Sequence, residues 1–204
     1  MTALRVAALD GRFVRLEPLR AEHVAPIAEA GAGDRSSYEY TQVPDGPDEA
    51  VDYVAWLLDD AAHARAAPFV QRRVADGQIV GCTRFLNPSW PLGRTDPDEV
   101  EIGGTWLSSD AQRTPVNTEA KLLLLTHAFD VWLAQRVAIC TDARNETSRR
   151  AIERLGADLE GILRRHRRST HPGDGDRLRD TASYSVTVDT WPVVRSRLLT
   201  LLDR

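Results

Sequence analysis

Residues 136–160 read RVAICTDARNETSRRAIERLGADLE. Val137, Ala138, Ile139 and Cys140 make a short apolar run that suits a buried strand. Asn145 offers a helix N-cap, and Glu146 puts a negative charge in the first turn, where the helix dipole favours it. Ser148, Ile152 and Leu155 then fall on one helical face. Gly156 supplies the C-terminal stop. A second strand, Ala157 to Leu163, follows at once. The stretch therefore predicts a strand, a short capped helix and another strand.

The rest of the chain fits around this unit. Just upstream, Pro115 to Leu133 reads as the longest helix, with Leu122, Leu125, Phe129 and Trp132 near one stripe. Before it, Val100 to Leu107 is a strand. Phe69 to Val74 and Ile79 to Leu86 are strands joined by Asp76-Gly77, a hairpin signal. Arg12 to Glu17 reads as a first strand. Ala21 to Ala30 and Asp48 to Ala62 read as helices. Downstream, Thr181 to Val188 alternates as a late strand, and Trp191 to Leu202 is an amphipathic helix. Gly31–Pro47, Asn87–Asp98 and Arg168–Arg177 are loops. No internal repeat, linker or low-complexity tract appears, so residues 1–204 are expected to form one mixed α/β domain.

Composition narrows the function. The chain has 204 residues, 42% apolar and 27% charged, an ordinary globular balance with room for a substantial core. Net charge is −4, which gives no bulk attraction to nucleic acid or an anionic membrane. The charge is uneven: residues 1–100 carry net −6 and residues 101–204 net +2, so a phosphate-rich ligand would prefer the second half. Lys121 is the only lysine. Cys82 and Cys140 lie in predicted strands and are read as buried free thiols. The five histidines show no metal-ligand spacing, so no metal is expected. The start, MTALRVAALDG, has no apolar core of signal-peptide length, and the run Leu122 to Leu125 is too short for a bilayer. These features predict a cytoplasmic protein without a membrane partner. No Gly-x-Ser-x-Gly, Walker or dinucleotide fingerprint occurs.

Two places carry chemistry. Thr114-Pro115 is a helix start, since threonine can cap and proline suits the first helical position. The free N–H groups that follow, at Val116, Asn117 and Thr118, suit a phosphate, although a capped helix alone explains them too. Upstream, residues 99–107 read EVEIGGTWL. Glu99 and Glu101 project to one face of a strand, and Gly103-Gly104 suggest a bulge or a close backbone approach. Either carboxylate could act as a general base; a solvated face is the plainer explanation. Arg164, Arg165, Arg167 and Arg168 flank His166. Alternation sends Arg165 and Arg167 to one face and His166 to the other, so the group is split; a solvated face or recognition of an acidic substrate is expected, and nucleic-acid binding is not.

The strand, the helix opened by Asn-x-x-Ser and closed by Leu-Gly-Ala, and the second strand together resemble the second half of the GNAT (GCN-five-related) N-acetyltransferases. The resemblance is to the branch of the ribosomal-protein N-terminal (RimJ/RimL-like) acetyltransferases, and it covers Arg12 to about Trp191. It implies the GNAT fold, a mostly antiparallel twisted sheet of about seven strands flanked by helices. It also implies acetyl-coenzyme A as cosubstrate and a primary amine as acceptor, either a small molecule or a protein N-terminus, on a monomer or homodimer.

The resemblance assigns residues as well. The family holds the coenzyme pyrophosphate on Arg/Gln-x-x-Gly-x-Gly/Ala. Here the place reads QRTPVN, with Gln112 matching and Pro115 and Asn117 in place of the two glycines. Arg113, Thr114, Val116, Asn117, Thr118 and Lys121 are the expected phosphate contacts. Ile102, Thr105, Trp106 and Leu107 are expected beside the pantetheine arm, and Asn145 and Ser148 near its end. Glu101 falls where the family's general base often sits. Ser148 or Tyr184 could protonate the leaving thiolate, though packing is the plainer role for Tyr184 and capping for Asn145. Tyr38, Tyr40 and Trp90 are expected walls of the acceptor pocket. A non-catalytic acyl-coenzyme A binding module is the alternative that the altered loop leaves open.

Overall fold

The computed structural model describes residues 4 and 6–203. The N-terminal stretch read above as lacking a leader core falls partly outside those residues. Eight strands form one sheet in the order β1-β2-β3-β4-β5-β6-β8-β7. They are β1 (Leu9–Asp10), β2 (Val14–Pro18), β3 (Ala66–Arg73), β4 (Ile79–Ser89), β5 (Glu99–Leu107), β6 (Arg136–Asp142), β7 (Asp158–Arg168) and β8 (Leu178–Thr187). The α-helices are α1 (Val24–Gly31), α2 (Gly46–Ala62), α3 (Pro115–Thr126), α4 (Glu146–Leu155) and α5 (Trp191–Leu202). All pairings are antiparallel except that of β5 with β6.

That exception shapes the molecule. β5 and β6 are in register only at Glu99↔Arg136, Val100↔Val137 and Glu101↔Ala138. Beyond Glu101 the strands part. Ile102 to Leu107 on one side and Ile139 to Asp142 on the other turn unpaired backbone edges into a wedge. Such edges need partners. Gly103-Gly104 mark the bulge expected from sequence: the β4–β5 register shifts between Cys82 and Arg84. Gly104 has φ +55, where a side chain is strained, and a Cβ there would lie 2.5 Å from the Arg84 guanidinium carbon, so a larger residue would have to displace that arginine.

The two faces of the sheet are covered unequally. α3, α4 and α5 pack on one face, where Val137, Ile139, Tyr184, Leu124 and Leu198 share a core. α1 and α2 cover the other face only over the early strands, closing a second core around Leu57, Val70, Cys82 and Trp106. On that face β6, β8 and β7 carry no helix. The apolar run 137–140 is therefore not buried on both sides: Ala138 and Cys140 face an open trough. Cys140 is half-buried rather than interior.

Local signals behave as their chemistry dictates. Asn145 caps α4, its Oδ1 accepting the Ser148 N–H at 2.9 Å, and Gly156 ends it at φ +100. The helix from Pro115 differs from expectation. Its α-helical part stops at Thr126 and a π turn, His127–Val131, carries it on, so α2 is the longest regular helix. The turn lets Phe129 stack on Trp191 of α5 at 5.3 Å. None of the helices among the described residues is long and apolar enough to cross a membrane.

Candidate active site

Glu101 stands at the apex of the wedge, the last position where β5 and β6 pair. Its carboxylate is buried and accepts three hydrogen bonds. Arg167 donates to both oxygens, at 2.8 and 2.6 Å, and Asn87 donates at 3.0 Å. The pair spans from β5 to the edge strand β7, and the Glu101 hydrogen bond raises the Arg167 pKa. A carboxylate offers about four lone-pair sites, so one remains on Oε1. Glu99 lies on the same face, as its spacing implies, and shares Arg136 with Glu160.

These groups wall the trough, an open cleft of about 550 Å³. Ala138, Cys140 and Ser183 form its floor; Glu99, Glu101, Asn87, Leu163, His166 and Arg167 form its sides. His166 and Arg167 both face it, contrary to simple alternation. The β7–β8 register slips between Leu163 and Arg167, where Arg165 takes φ +48 and its N–H is held by Asp180 Oδ1. Desolvation, then the Arg167 charge, lowers the His166 pKa. Burial pushes the Cys140 thiol up. Arg167, Asn87 and His166 were not singled out for the site by sequence reading.

Two helix starts lie at the open end of the wedge, following β5 and β6 in the chain. At α3, Thr114 caps as expected: its hydroxyl donates to Ala111 O and accepts weakly from Val116 N–H at 3.4 Å. Arg113 before it is exposed and sits at φ +60. The Asn117 Oδ1 is enclosed with no partner among the described residues. One turn further, Lys121 is buried, and its Nζ donates to Thr105 Oγ1 at 2.6 Å. Burial lowers its pKa to about 7. Lys121 thus points under β5 rather than out to the helix start. At α4, Ser148 is half-buried in the first turn.

Several expected contacts are occupied elsewhere. Ile102 and Val116 are core side chains. Trp106 faces the other core, its Nε1 donating to Tyr53 Oη at 3.1 Å. These residues can meet a ligand only through their main chain. The Leu107 carbonyl accepts from Tyr38 Oη at 2.9 Å and from Gln112 Nε2 at 3.1 Å. Gln112 also donates to Ser37 Oγ, so it latches the α1–α2 loop rather than waiting free. The Thr118 hydroxyl accepts from Arg154.

Three further expectations need correction. Tyr184 lies on the face opposite Glu101. It is fully buried, its hydroxyl donating to Glu153 at 2.7 Å and accepting from Arg149 at 3.1 Å. Its one proton is committed, so it packs rather than protonates. Tyr38 is a buried strut, not a free pocket wall. Trp90 folds onto its own loop, Nε1 toward Thr95 O. Tyr40 packs under the Arg144 guanidinium, 5.3 Å from its ring, and against His171 at 5.1 Å. No group of three His, Cys, Asp or Glu among the described residues could hold a metal ion.

A bulged strand, a parallel neighbour that parts from it, and helices starting at both open ends define an acyl-coenzyme A transferase architecture. The GNAT acetyltransferase domain model matches residues 14–158, and the chain belongs to that family. It is an acetyltransferase of a family that draws its acetyl group from acetyl-coenzyme A. A GCN5-related N-acetyltransferase from Brucella melitensis is 28% identical, with TM-score 0.82 over 98% of this chain and 87% of that one. A T. thermophilus structure assigned to the acetyltransferases is 32% identical, with TM-score 0.80 over 97% and 98%. RimJ from Mycobacterium smegmatis, in complex with CoA-disulfide, shares the fold at 23% identity and TM-score 0.73 over 92% and 88%. No curated protein matches the chain in sequence.

Proposed function

We propose that the chain acetylates a primary amine by direct attack on acetyl-coenzyme A, without an acyl-enzyme, and acts in the cytoplasm. One observation carries the reading: the wedge, with a carboxylate at its apex and helix starts at its open end. The coenzyme fits the residues present. Main-chain N–H groups at Val116 and Asn117, with Arg113 and Thr114, would hold its phosphates. The free edge Ile102 to Trp106 would pair with the pantetheine arm as an added strand does. The enclosed Asn117 Oδ1 and the Asn145 amide nitrogen leave polar groups for the same ligand. When bound, acetyl-coenzyme A supplies the activated thioester.

The chain's own side chains manage the protons. Glu101 takes up the amine proton at its remaining Oε1 site, directly or through a water. Arg167 and Asn87 fix that carboxylate, so it needs no reorientation. Ser148 holds a proton at Oγ for the departing sulfur, at a helix start that favours negative charge. The acceptor is a small amine or a protein N-terminus, approaching along the bare trough. The test is free-thiol release from acetyl-coenzyme A across small amines and N-terminal peptides, with calorimetry for coenzyme binding. Saturable binding with amine-dependent release is expected. Binding without release from any amine would leave a non-catalytic binding module.

A further inference from the structure

The guanidiniums around the trough are matched, with one exception. Arg167 grips Glu101, Arg136 bridges Glu99 and Glu160, and Arg144 bridges Asp142 and Asp174. Arg179 on β8 differs. Its Nε is enclosed with no hydrogen-bond partner among the described residues. Asp142 and Glu101 act on it only through their fields, each already held by another arginine. Two residues along the same strand face, Thr181 is fully buried and its Oγ1 also lacks a partner among those residues. Arg179 is the register partner of Arg167; Thr181 is that of Leu163 and Asp142. Leu163 and Arg167 line the trough, so both unpartnered groups lie on the neighbouring strand, directly beside its lining. Cys140, His166 and the Glu101–Arg167 pair are the other titratable groups facing that part of the trough.

Enclosed polar groups are almost always hydrogen-bonded, and an exception calls for a reason. Enclosing a guanidinium N–H without a partner is costly; Arg179 as a whole is half-buried, and desolvation holds it below its ordinary pKa. Such a group is expected where a ligand completes it. A planar fork of N–H donors beside a hydroxyl matches a carboxylate. The local charge agrees. Glu99, Glu101 and Glu160 stand against Arg136, Arg167 and Arg179, so a zwitterion enters without upsetting the balance.

We infer that Arg179 and Thr181 form an anion-anchoring subsite, and that the acceptor is a small amine carrying its own carboxylate. The inference rests on the acetyl-transfer reading above. Holding the carboxylate at Arg179 fixes the amine end toward Glu101, and an amine without the carboxylate leaves the guanidinium unpaired and is rejected. Arg179 is a positioning residue; it touches no reacting atom.

The test pairs amino acids with their carboxamides and with short peptides, reading thiol release from acetyl-coenzyme A by the full chain. The free acids should exceed their amides in kcat/KM by roughly 10- to 100-fold, the scale of a charge-assisted hydrogen bond. Arg179→Met should erase that preference, with the loss falling on the KM of the acids rather than on kcat. Arg179→Lys should keep part of it, and Thr181→Val should weaken it less. Melting temperatures of the ligand-free variants should not fall. Equal use of acids and amides, a peptide preferred to the free amino acid, or a fall in both melting temperature and all turnover in Arg179→Met would overturn the inference. Release with amides but not acids sinks this inference alone; no release with any amine sinks the acetyl-transfer reading with it.

Discussion

The β3–β4 half of the sheet is packed on both faces, while the β6–β8–β7 half is packed on one. Phe69 and Val70, neighbours on β3, each enter a different core. Their counterparts on β6, Ile139 and Cys140, divide between a core and the open trough. The first half gives rigidity. The second lines its helix-free face with small floor residues, Ala138, Cys140 and Ser183, which leave room for a ligand. The polar chemistry gathers where the two halves meet, because there the backbone itself is unpaired.

The sharpest way to break this contrast is at the junction. Glu101→Gln should lower kcat by roughly 10²- to 10⁴-fold, the scale of an acid–base group, with coenzyme affinity by calorimetry little changed. Turnover near wild type would move the base to Glu99 or to a water. The two halves themselves can be compared with matched losses. Phe69→Ala, in the doubly packed half, should cost about 3–5 kcal/mol in denaturant unfolding. Cys140→Ala, on the trough floor, should cost under about 1 kcal/mol. Equal costs would mean that the trough is as tightly packed as the core.

A smaller effect comes from pH. Unfolded, the Lys121 amine has its ordinary value of about 10.4; folded, burial brings it to about 7. Between these values the unfolded chain holds the extra proton, so stability rises with pH by up to about 1.4 kcal/mol per unit. Below about 7 both states are charged and the cost is constant. Lys121→Met should therefore be more stable than wild type at pH 7, with the gap narrowing at pH 8 and 9. A gap independent of pH would mean that the amine is not desolvated. The smallest effects lie at α4. Asn145→Ala should cost about 1 kcal/mol, the usual loss for a cap, and weaken coenzyme binding. Ser148→Ala should lower turnover, less so with a thioester whose thiol is more acidic. Tyr184→Phe should leave turnover intact and cost only stability.

What the sequence disclosed, and what it hid, follows the same division. The Asn145 cap, the Gly156 stop, the Asp76-Gly77 turn and the Thr114-Pro115 start act over a few residues, so local chemistry suffices to read them. Glu101 could be placed on a face by alternation. Its partner Arg167 is 66 residues away, and nothing local links the two. Alternation also failed for His166, because the irregularity at Arg165 depends on Asp180 of the next strand. Gln112 and Tyr38 looked like ligand contacts until the α1–α2 loop came to rest on Leu107. The Pro115 helix read as continuous because its apolar stripe is; the π turn that re-aims Phe129 toward Trp191 is set by α5.

Lys121 has one more consequence. It is the sole lysine, and its amine is shut between α3 and β5 at Thr105. An amine-reactive ester added to the folded protein can modify this side chain only when that seam opens. The labelling rate at Lys121, followed by mass spectrometry, is thus a single-site clock for the breathing of α3 against the sheet. No label has to be engineered in, and ligands that close the seam should slow the clock.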